Sequence, residues 1–288
     1  MKNAEHKEDC VLKTIVLAGG LGSWVNDDLV RIPKSMVEVV GRPIIVRIMD
    51  IYSHFGYQDF IVATGYKSLL IKQFFANYNL IANDITVVLD SGQMTLRPAS
   101  PGGWSVSVVD TGPDQLPSGR IQRLKEWLDG ETFMVTYGDG LGNVDIDALL
   151  TFHRSHGKLA TMTAVRPHAQ VGCVDIRGDR VHTFSDTVQN SETWINGGFF
   201  VFEPDVLDYL TDDAMPLEKG PLPQMARDGN LMAYRHFGFW HPMDTLRDRN
   251  KLCKLAAGDV PPWLNFDNTE QSPTATSGIG GKPHIVSV

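Results

Sequence analysis

Residues 12–24 read L-K-T-I-V-L-A-G-G-L-G-S-W. The run up to Ala18 is apolar and β-branched with no polar alternation, which is the pattern of a strand buried on both faces of a parallel sheet. It breaks on Gly19 and Gly20, with Gly22 two residues on. A glycine turn at the end of such a strand lets backbone amides wrap a polyphosphate without side-chain obstruction. A tight βα turn that needs only positive φ leaves the same trace, so the loop alone does not name a ligand. The stretch matches neither G-x-G-x-x-G nor the P-loop Lys-Ser/Thr pattern, and it closes on Ser23 and Trp24 where a phosphate loop would normally bring a cation.

Working outward, Pro43 stands at a first helical turn and Ile44, Ile45, Ile48 and Ile51 recur at helical spacing, so a helix is expected to run to about Phe55, with Gly56 ending it. Residues 59–66 (D-F-I-V-A-T-G-Y) read as a second strand, 68–78 as the helix after it, and 85–90 (I-T-V-V-L-D) as another strand. From Ser91 to Gly119 the chain is rich in Gly, Pro and Ser, a loop-rich insertion broken by an alternating stretch, 104–112, suited to a sheet edge. A short helix (121–128), a strand with a sharp polar end (131–140) and an amphipathic helix (144–157) follow. This alternation predicts an α/β fold with a parallel sheet whose ligands bind at the carboxyl ends of the strands.

Further on, 161–167, 171–184 and 195–202 are strand-like, 204–210 and 221–230 helix-like, and 245–258 is a last amphipathic helix. The expected organisation is a polar leader (1–11), one domain (12–265) and a flexible tail (266–288) that is low in apolar periodicity.

Composition narrows the function. The chain has 288 residues, 42% hydrophobic and 21% charged, and a formal net charge of −8. That sign opposes nonspecific binding to nucleic acid or to an anionic membrane surface. Cys10, Cys173 and Cys253 are far apart with no C-x-x-C pair, so neither a disulfide framework nor a zinc cluster is expected. The hydrophilic leader and the lack of a long apolar run predict a cytoplasmic protein with no membrane span.

Three further residues stand where phosphate chemistry would need them. Lys34, in I-P-K-S-M-V-E-V, follows a proline that stiffens its loop, and it is placed to reach back to the glycine turn. Asp139, in Y-G-D-G, ends an apolar strand, a good position for Mg2+ bridging nucleotide phosphates and equally a place for a turn aspartate making an Asx bond. Asp244, in H-P-M-D-T-L, opens the last helix, where a plain N-cap and a metal ligand are equally open readings. His241 has no partner at metal-ligand spacing and reads as structural.

In order along the chain, G-G-L-G-S, P-K-S-M-V-E-V-V-G-R-P-I (33–44), T-G-Y-K (64–67), V-D-T-G (109–112), T-Y-G-D-G (136–140), I-N-G-G-F-F-V (195–201) and G-F-W-H-P-M-D-T-L-R-D (238–248) resemble the sugar-1-phosphate nucleotidyltransferases, the cytidylyltransferases above all. The resemblance spans roughly residues 12–260 and implies a Rossmann-like nucleotide-diphospho-sugar transferase fold, a mixed, mostly parallel sheet flanked by helices. It implies Mg2+ held by Asp139 and Asp244, with Lys34 on phosphate. Gly19, Gly20, Gly22, Ser23, Gly65, Tyr66 and Arg120 fall in the nucleotide segments, and Asn196, Gly197 and Gly198 in the sugar pocket. The partners implied are a nucleoside triphosphate, CTP favoured, and a sugar 1-phosphate, with a homo-oligomer as the assembly. The reaction implied is attack of the sugar phosphate on the α-phosphorus with loss of pyrophosphate.

Two positions depart from that pattern. Trp24 replaces an arginine that neutralises the leaving pyrophosphate, and Thr187, in F-S-D-T-V, replaces the lysine that holds the sugar's phosphate. Loss of one preorganised charge costs about 10²–10³ in rate. The expectation is therefore an altered substrate or a slow enzyme; the alternative is an inactive or repurposed homologue that binds a nucleotide or nucleotide sugar as a regulatory or assembly subunit. Arg31 stands as a substitute for the missing arginine, and Arg120 or Arg123 for the missing lysine.

Overall fold

The computed structural model describes residues 12–20, 32–97, 103–166, 173–177, 180–185, 194–211 and 215–266. The leader (1–11) and all of the tail but Phe266 lie outside them, as do Gly22, Ser23, Trp24, Arg31 and Thr187. The opening run forms β1 (Lys13–Leu17), whose central residues are buried as its uninterrupted apolar character requires. After a ribbon of β2 (Glu38–Val39) and β3 (Arg42–Pro43), helix α1 (Ile44–His54) begins directly behind Pro43, which holds φ at −54° as its N-cap. Its buried residues are the apolar ones read from the sequence, with Val46, Met49 and Tyr52 added. Then come β4 (Asp59–Thr64), α2 (Ser68–Ala76), α3 (Tyr78–Ala82), β5 (Asp84–Val88), β6 (Gln93–Arg97), β7 (Ser105–Asp110) and α4 (Pro117–Gln122).

The second half supplies β8 (Phe133–Tyr137), β9 (Gly140–Gly142), α5 (Ile146–His156), β10 (Ala160–Val165), β11 (Cys173–Arg177), β12 (Arg180–Ser185) and β13 (Ile195–Phe202). It closes with α6 (Pro221–Arg227), β14 (Leu231–His236), β15 (Trp240–Pro242) and α7 (Leu246–Leu255). Seven strands make one sheet in the order β14-β10-β13-β8-β1-β4-β7. Only β13 runs against its neighbours; β10 pairs with β14, β8 with β1, β1 with β4 and β4 with β7 in parallel. This is the mixed, mostly parallel sheet of the expected fold. One face packs on α1, α5 and α7 through residues such as Val16, Met49 and Leu252, the other on α4 and α6 through Ile15, Ile121 and Met225.

Several elements differ from the sequence reading. The 85–90 strand exists as β5 but stays out of the main sheet, pairing only with β6 inside the stretch read as loop. Its residues are all exposed, so it lacks a second layer to dock on. The 104–112 stretch does form the sheet edge, as β7. The helix expected at 121–128 starts earlier, at Pro117, because proline at the first helical position is preorganised for it, and the remainder tightens into a 3-10 turn at Lys125–Trp127. Residues 204–210 form a 3-10 helix, Pro204–Tyr209. Strand β14 was missed because its sequence, L-M-A-Y-R-H, is half polar and mostly part-exposed at the other sheet edge.

Candidate active site

The tips of β4, β1 and β8 lie side by side, with Leu17 opposite both Ala63 and Tyr137. The residues that follow these strands therefore emerge at one carboxyl edge, where a parallel sheet leaves a crevice. Gly19, Gly20, Arg120, Tyr137, Asp139 and Glu218 line a cavity of about 510 Å³ there. Gly138 lets the chain turn into it: its amide donates to the Leu17 carbonyl at 3.1 Å, and a Cβ at this position would sit 2.6 Å from that same oxygen. No other residue fits.

Asp244 reaches Asp139 from more than a hundred residues away through a small ribbon. Trp240, His241 and Pro242 of β15 pair with Gly142, Leu141 and Gly140 of β9, and the Met243 amide donates to the Asp139 carbonyl at 2.8 Å. The next helix is capped by Thr245 and Asp248, which form a reciprocal capping box. Asp244 is therefore not the N-cap, and its carboxylate is left to the crevice. Asp248 is buried, and His241, also buried, lies 4.0 Å from it, which fits the structural role read for this histidine.

Lys34 joins the two acids. Pro33 caps the 3-10 turn Lys34–Met36, and the lysine Nζ donates to Asp139 Oδ2 at 2.7 Å and to Asp244 Oδ1 at 2.6 Å. Burial works to lower its pKa, but the field of Asp139 and hydrogen bonds to both carboxylates outweigh this and hold the ammonium above the ordinary lysine value. Two carboxylates that share one ammonium converge on a volume of single-cation size. Among the described residues there is no group of three or more His, Cys, Asp and Glu placed to hold a metal. Two hard oxygen donors open to a crevice suit a cation that takes its other ligands from water and phosphate, the usual manner of Mg2+.

Arg120 carries the least expected geometry. Only 4% exposed, it donates to the carbonyls of Thr64 (2.8 Å), Gly112 (2.9 Å) and Gly19 (2.9 Å) and to Thr111 Oγ1 (2.8 Å). It thus ties the ends of β1, β4 and β7 together. Burial lowers its pKa, yet a guanidinium stays charged throughout the biological range. A Cβ on Gly19 would lie 2.0 Å from the Arg120 Cζ, and one on Gly65 2.5 Å from its Nη1. These two glycines make room for a guanidinium, whereas Gly20 faces open space. Tyr66 follows Gly65 at the mouth of the crevice, with the Lys67 ammonium 5.5 Å from its ring. Arg123 donates to the Thr111 carbonyl.

On the other flank, Asn196 Oδ1 accepts from the Gly198 amide (2.9 Å) and its Nδ2 donates to Glu218 Oε1 (3.2 Å). Gly198 holds φ at +80°, a left-handed geometry that favours glycine. A Cβ on Gly197 would sit 2.7 Å from Val165 Cγ1, and the Gly197 carbonyl accepts from Trp240 Nε1 at 2.8 Å. The Tyr137 hydroxyl donates to Glu218; burial, then Glu218, pushes its pKa up. Glu218 was not found from the sequence, where it sits in a P-L-E-K-G stretch without periodicity.

The nucleotidyl transferase family model matches residues 13–240. The chain is 42% identical to a glucose-1-phosphate cytidylyltransferase of Salmonella typhimurium over 257 residues, 89% of this chain and all of that one. It is 36% identical to a probable glucose-1-phosphate cytidylyltransferase of Bacillus subtilis, over 85% of this chain and 96% of the other. Among solved structures, the fold is similar to HddC from Yersinia pseudotuberculosis (TM-score 0.61, 20% identity, 84% of this chain and 98% of that one). A UDP-glucose pyrophosphorylase complexed with UDP-glucose is similar as well (TM-score 0.57, 14% identity, 84% and 96%). A glycine turn, a lysine and two aspartates meet at one sheet edge, and the match covers most of the chain: it belongs to the nucleotidyl transferase family, among the sugar-1-phosphate nucleotidyltransferases.

Proposed function

We propose that the protein transfers CMP from CTP to a sugar 1-phosphate and releases pyrophosphate, with Mg2+ as its metal. The observation that carries this reading is the convergence of Lys34, Asp139 and Asp244 at the end of β8. The reaction needs little covalent help: an oxygen of the acceptor phosphate must approach the α-phosphorus in line with the departing pyrophosphate, while several negative groups are held together. Asp139 and Asp244 would hold the metal, which when bound neutralises phosphate charge and fixes the triphosphate.

In this reading Lys34 leaves the carboxylates when nucleotide arrives and donates to phosphate oxygens. The amides after Gly19 and Gly20 receive the phosphates. Gly65 and Tyr66 take the base and ribose, and Arg120 fixes the three strand ends that shape this half and adds positive potential beneath it. Asn196, Gly197 and Gly198 line the acceptor's place, with Tyr137 and Glu218 as further hydrogen-bonding groups. The test is release of pyrophosphate with Mg2+, each of the four nucleoside triphosphates and a panel of sugar 1-phosphates. Turnover with CTP supports the reading; absence of turnover with every pair, with nucleotide still bound, supports the alternative of a non-catalytic homologue suggested by Trp24.

A homo-oligomer is part of this proposal. In the β5–β6 ribbon Ile85 lies opposite Leu96 and Val87 opposite Met94, so these four exposed side chains form one apolar face. The other face carries Asp84 opposite Arg97, Thr86 opposite Thr95 and Val88 opposite Gln93, with valine as its one apolar side chain. A lone two-stranded ribbon is marginal in water. Together with exposed Leu69, Leu70, Leu80 and Ile81 the apolar face offers on the order of 800 Å², the share one partner gives to a standard interface. A second copy of this chain is the occupant we assign. Light scattering on the chain and on Val87→Glu tests it: a multimer that falls to monomer supports the assignment, and a monomeric parent chain overturns it.

A further inference from the structure

Beside the sugar pocket stands a group of side chains that the nucleotidyl transfer just described does not use. Ala164 lies opposite Asn196 on one side and Arg235 on the other, so Asn196, Ala164 and Arg235 form a row on one face of the sheet. Two residues further toward the carboxyl edge, one step past the ends of these three strands, come Trp194, Arg166 and Phe237. The Arg166 guanidinium lies over the Trp194 ring at 4.8 Å and near Phe237 at 5.9 Å, and that of Arg235 lies 5.7 Å from the same indole. Phe237 meets Trp194 edge-on with ring centroids 5.3 Å apart. Two cations therefore share one aromatic platform.

Both arginines are exposed, and among the described residues neither forms an ion pair with a carboxylate. The nearby acid of the pocket, Glu218, already accepts from Tyr137 and Asn196. Like charges gathered on one ring repel each other unless an anion comes between them. Two arginines on one indole with no carboxylate partner among the described residues mark a place suited to a negative ligand.

Position selects the ligand. Arg166 directly follows β10 and Arg235 lies on β14; β10 is separated by β13 alone from β8, whose end leads to Asp139. Two strand spacings amount to about 10 Å, the length of a hexose lying across Asn196 with its 1-phosphate toward Asp139. The end of the sugar away from that phosphate meets the arginines.

We propose that Arg166 and Arg235, held on Trp194, read a second negative group on the acceptor, a phosphate or a carboxylate at the end remote from the 1-phosphate. The acceptor class is thus an acidic sugar 1-phosphate. This rests on the nucleotidyl transfer proposed above and narrows it.

The experiment compares kcat/KM with CTP and Mg2+ for glucose 1-phosphate, glucose 1,6-bisphosphate and glucuronic acid 1-phosphate, in the parent chain and in the double variant Arg166→Met, Arg235→Met. The parent chain is expected to favour one of the doubly charged acceptors by at least about tenfold, and the two charged arms tell phosphate from carboxylate. In the double variant that preference is expected to fall to within about threefold of unity. The KM for CTP, also an anion, reports any general loss of positive field and is expected to hold. A parent chain without the preference, or a preference that survives the double change, overturns the inference. If no acceptor turns over, the transfer reading fails by itself, and the inference is then read from melting temperature: glucose 1,6-bisphosphate raises it more than glucose 1-phosphate in the parent chain only, and equal shifts in both proteins overturn it.

Discussion

The two flanks of the crevice, which we assign to nucleotide and acceptor, are built by different means. On the nucleotide flank, β4, β1 and β8 run parallel and end in register, and one buried guanidinium, Arg120, bonds to the backbone that leaves two of them. On the acceptor flank, the antiparallel β13 enters the site from its beginning, and beyond it the end of β10 and the edge strand β14 bring exposed arginines stacked on an indole. The first flank is held by backbone constraints with little freedom to change; the second is a surface of side chains that a few substitutions can rewrite. A common nucleotide mechanism with an altered acceptor is what such a division would produce.

The largest effect should come from the point where the flanks meet. Asp139→Asn removes a carboxylate that both substrates depend on, and about a 10³-fold fall in kcat/KM for either substrate is expected in steady-state assays of pyrophosphate release. A fall confined to one substrate would break the division drawn here. Next comes Arg120→Met, which takes the guanidinium donor from the carbonyls of Gly19 and Gly112, while that of Thr64 keeps the Thr111 amide and hydroxyl. A loss of about 3 kcal/mol in urea unfolding is expected, with a rise in KM for CTP. Arg120→Lys should not rescue it, because one ammonium cannot reach acceptors on three separate segments. The Arg166→Met, Arg235→Met pair should cost about tenfold and touch the acceptor alone.

The smallest effect lies away from both flanks. Burial lowers the pKa of His153, of His156, which also feels His153, and of His236. A histidine whose folded pKa lies below its unfolded value of about 6.5 gives its full stability above that pH and loses it as pH falls toward the folded pKa. Melting temperature should therefore drop by a few degrees between pH 7.5 and 5.5, and His153→Gln should flatten the slope. No change in the slope would remove His153 from this account.

How much of this was legible in the sequence follows the same division. The strand before Gly19, the helix behind Pro43 and the turn at Gly138 were readable because an uninterrupted apolar run, proline geometry and glycines flanking an aspartate at a strand end each leave a local trace. That Lys34, Asp139 and Asp244 meet was not readable from spacing, since 105 and 210 residues separate the lysine from its partners; only the resemblance of whole motifs suggested it. The reason for Gly19 and Gly65 was also hidden, because a glycine that admits a guanidinium looks like a glycine that admits a phosphate. Arg166, Trp194 and Arg235 sit on three strands, and β14 was not recognised as one, so nothing local announced that they touch. The β5–β6 ribbon was half legible: β5 carries a strand pattern, but its partner β6 lies in the stretch read as loop.

The measurement that bears most directly on the central claim is phosphorus NMR of the full chain with CTP, Mg2+ and hexose 1-phosphates, with and without a second anionic group, beside Asp139→Asn. The account expects free pyrophosphate and the paired diphosphate signals of a nucleotide sugar with the parent chain, and unchanged substrate signals with the variant over the same interval. A spectrum that stays unchanged for the folded parent chain at substrate-equivalent concentration, or equal product from the variant, would contradict the assignment of Lys34, Asp139 and Asp244 as the transfer site.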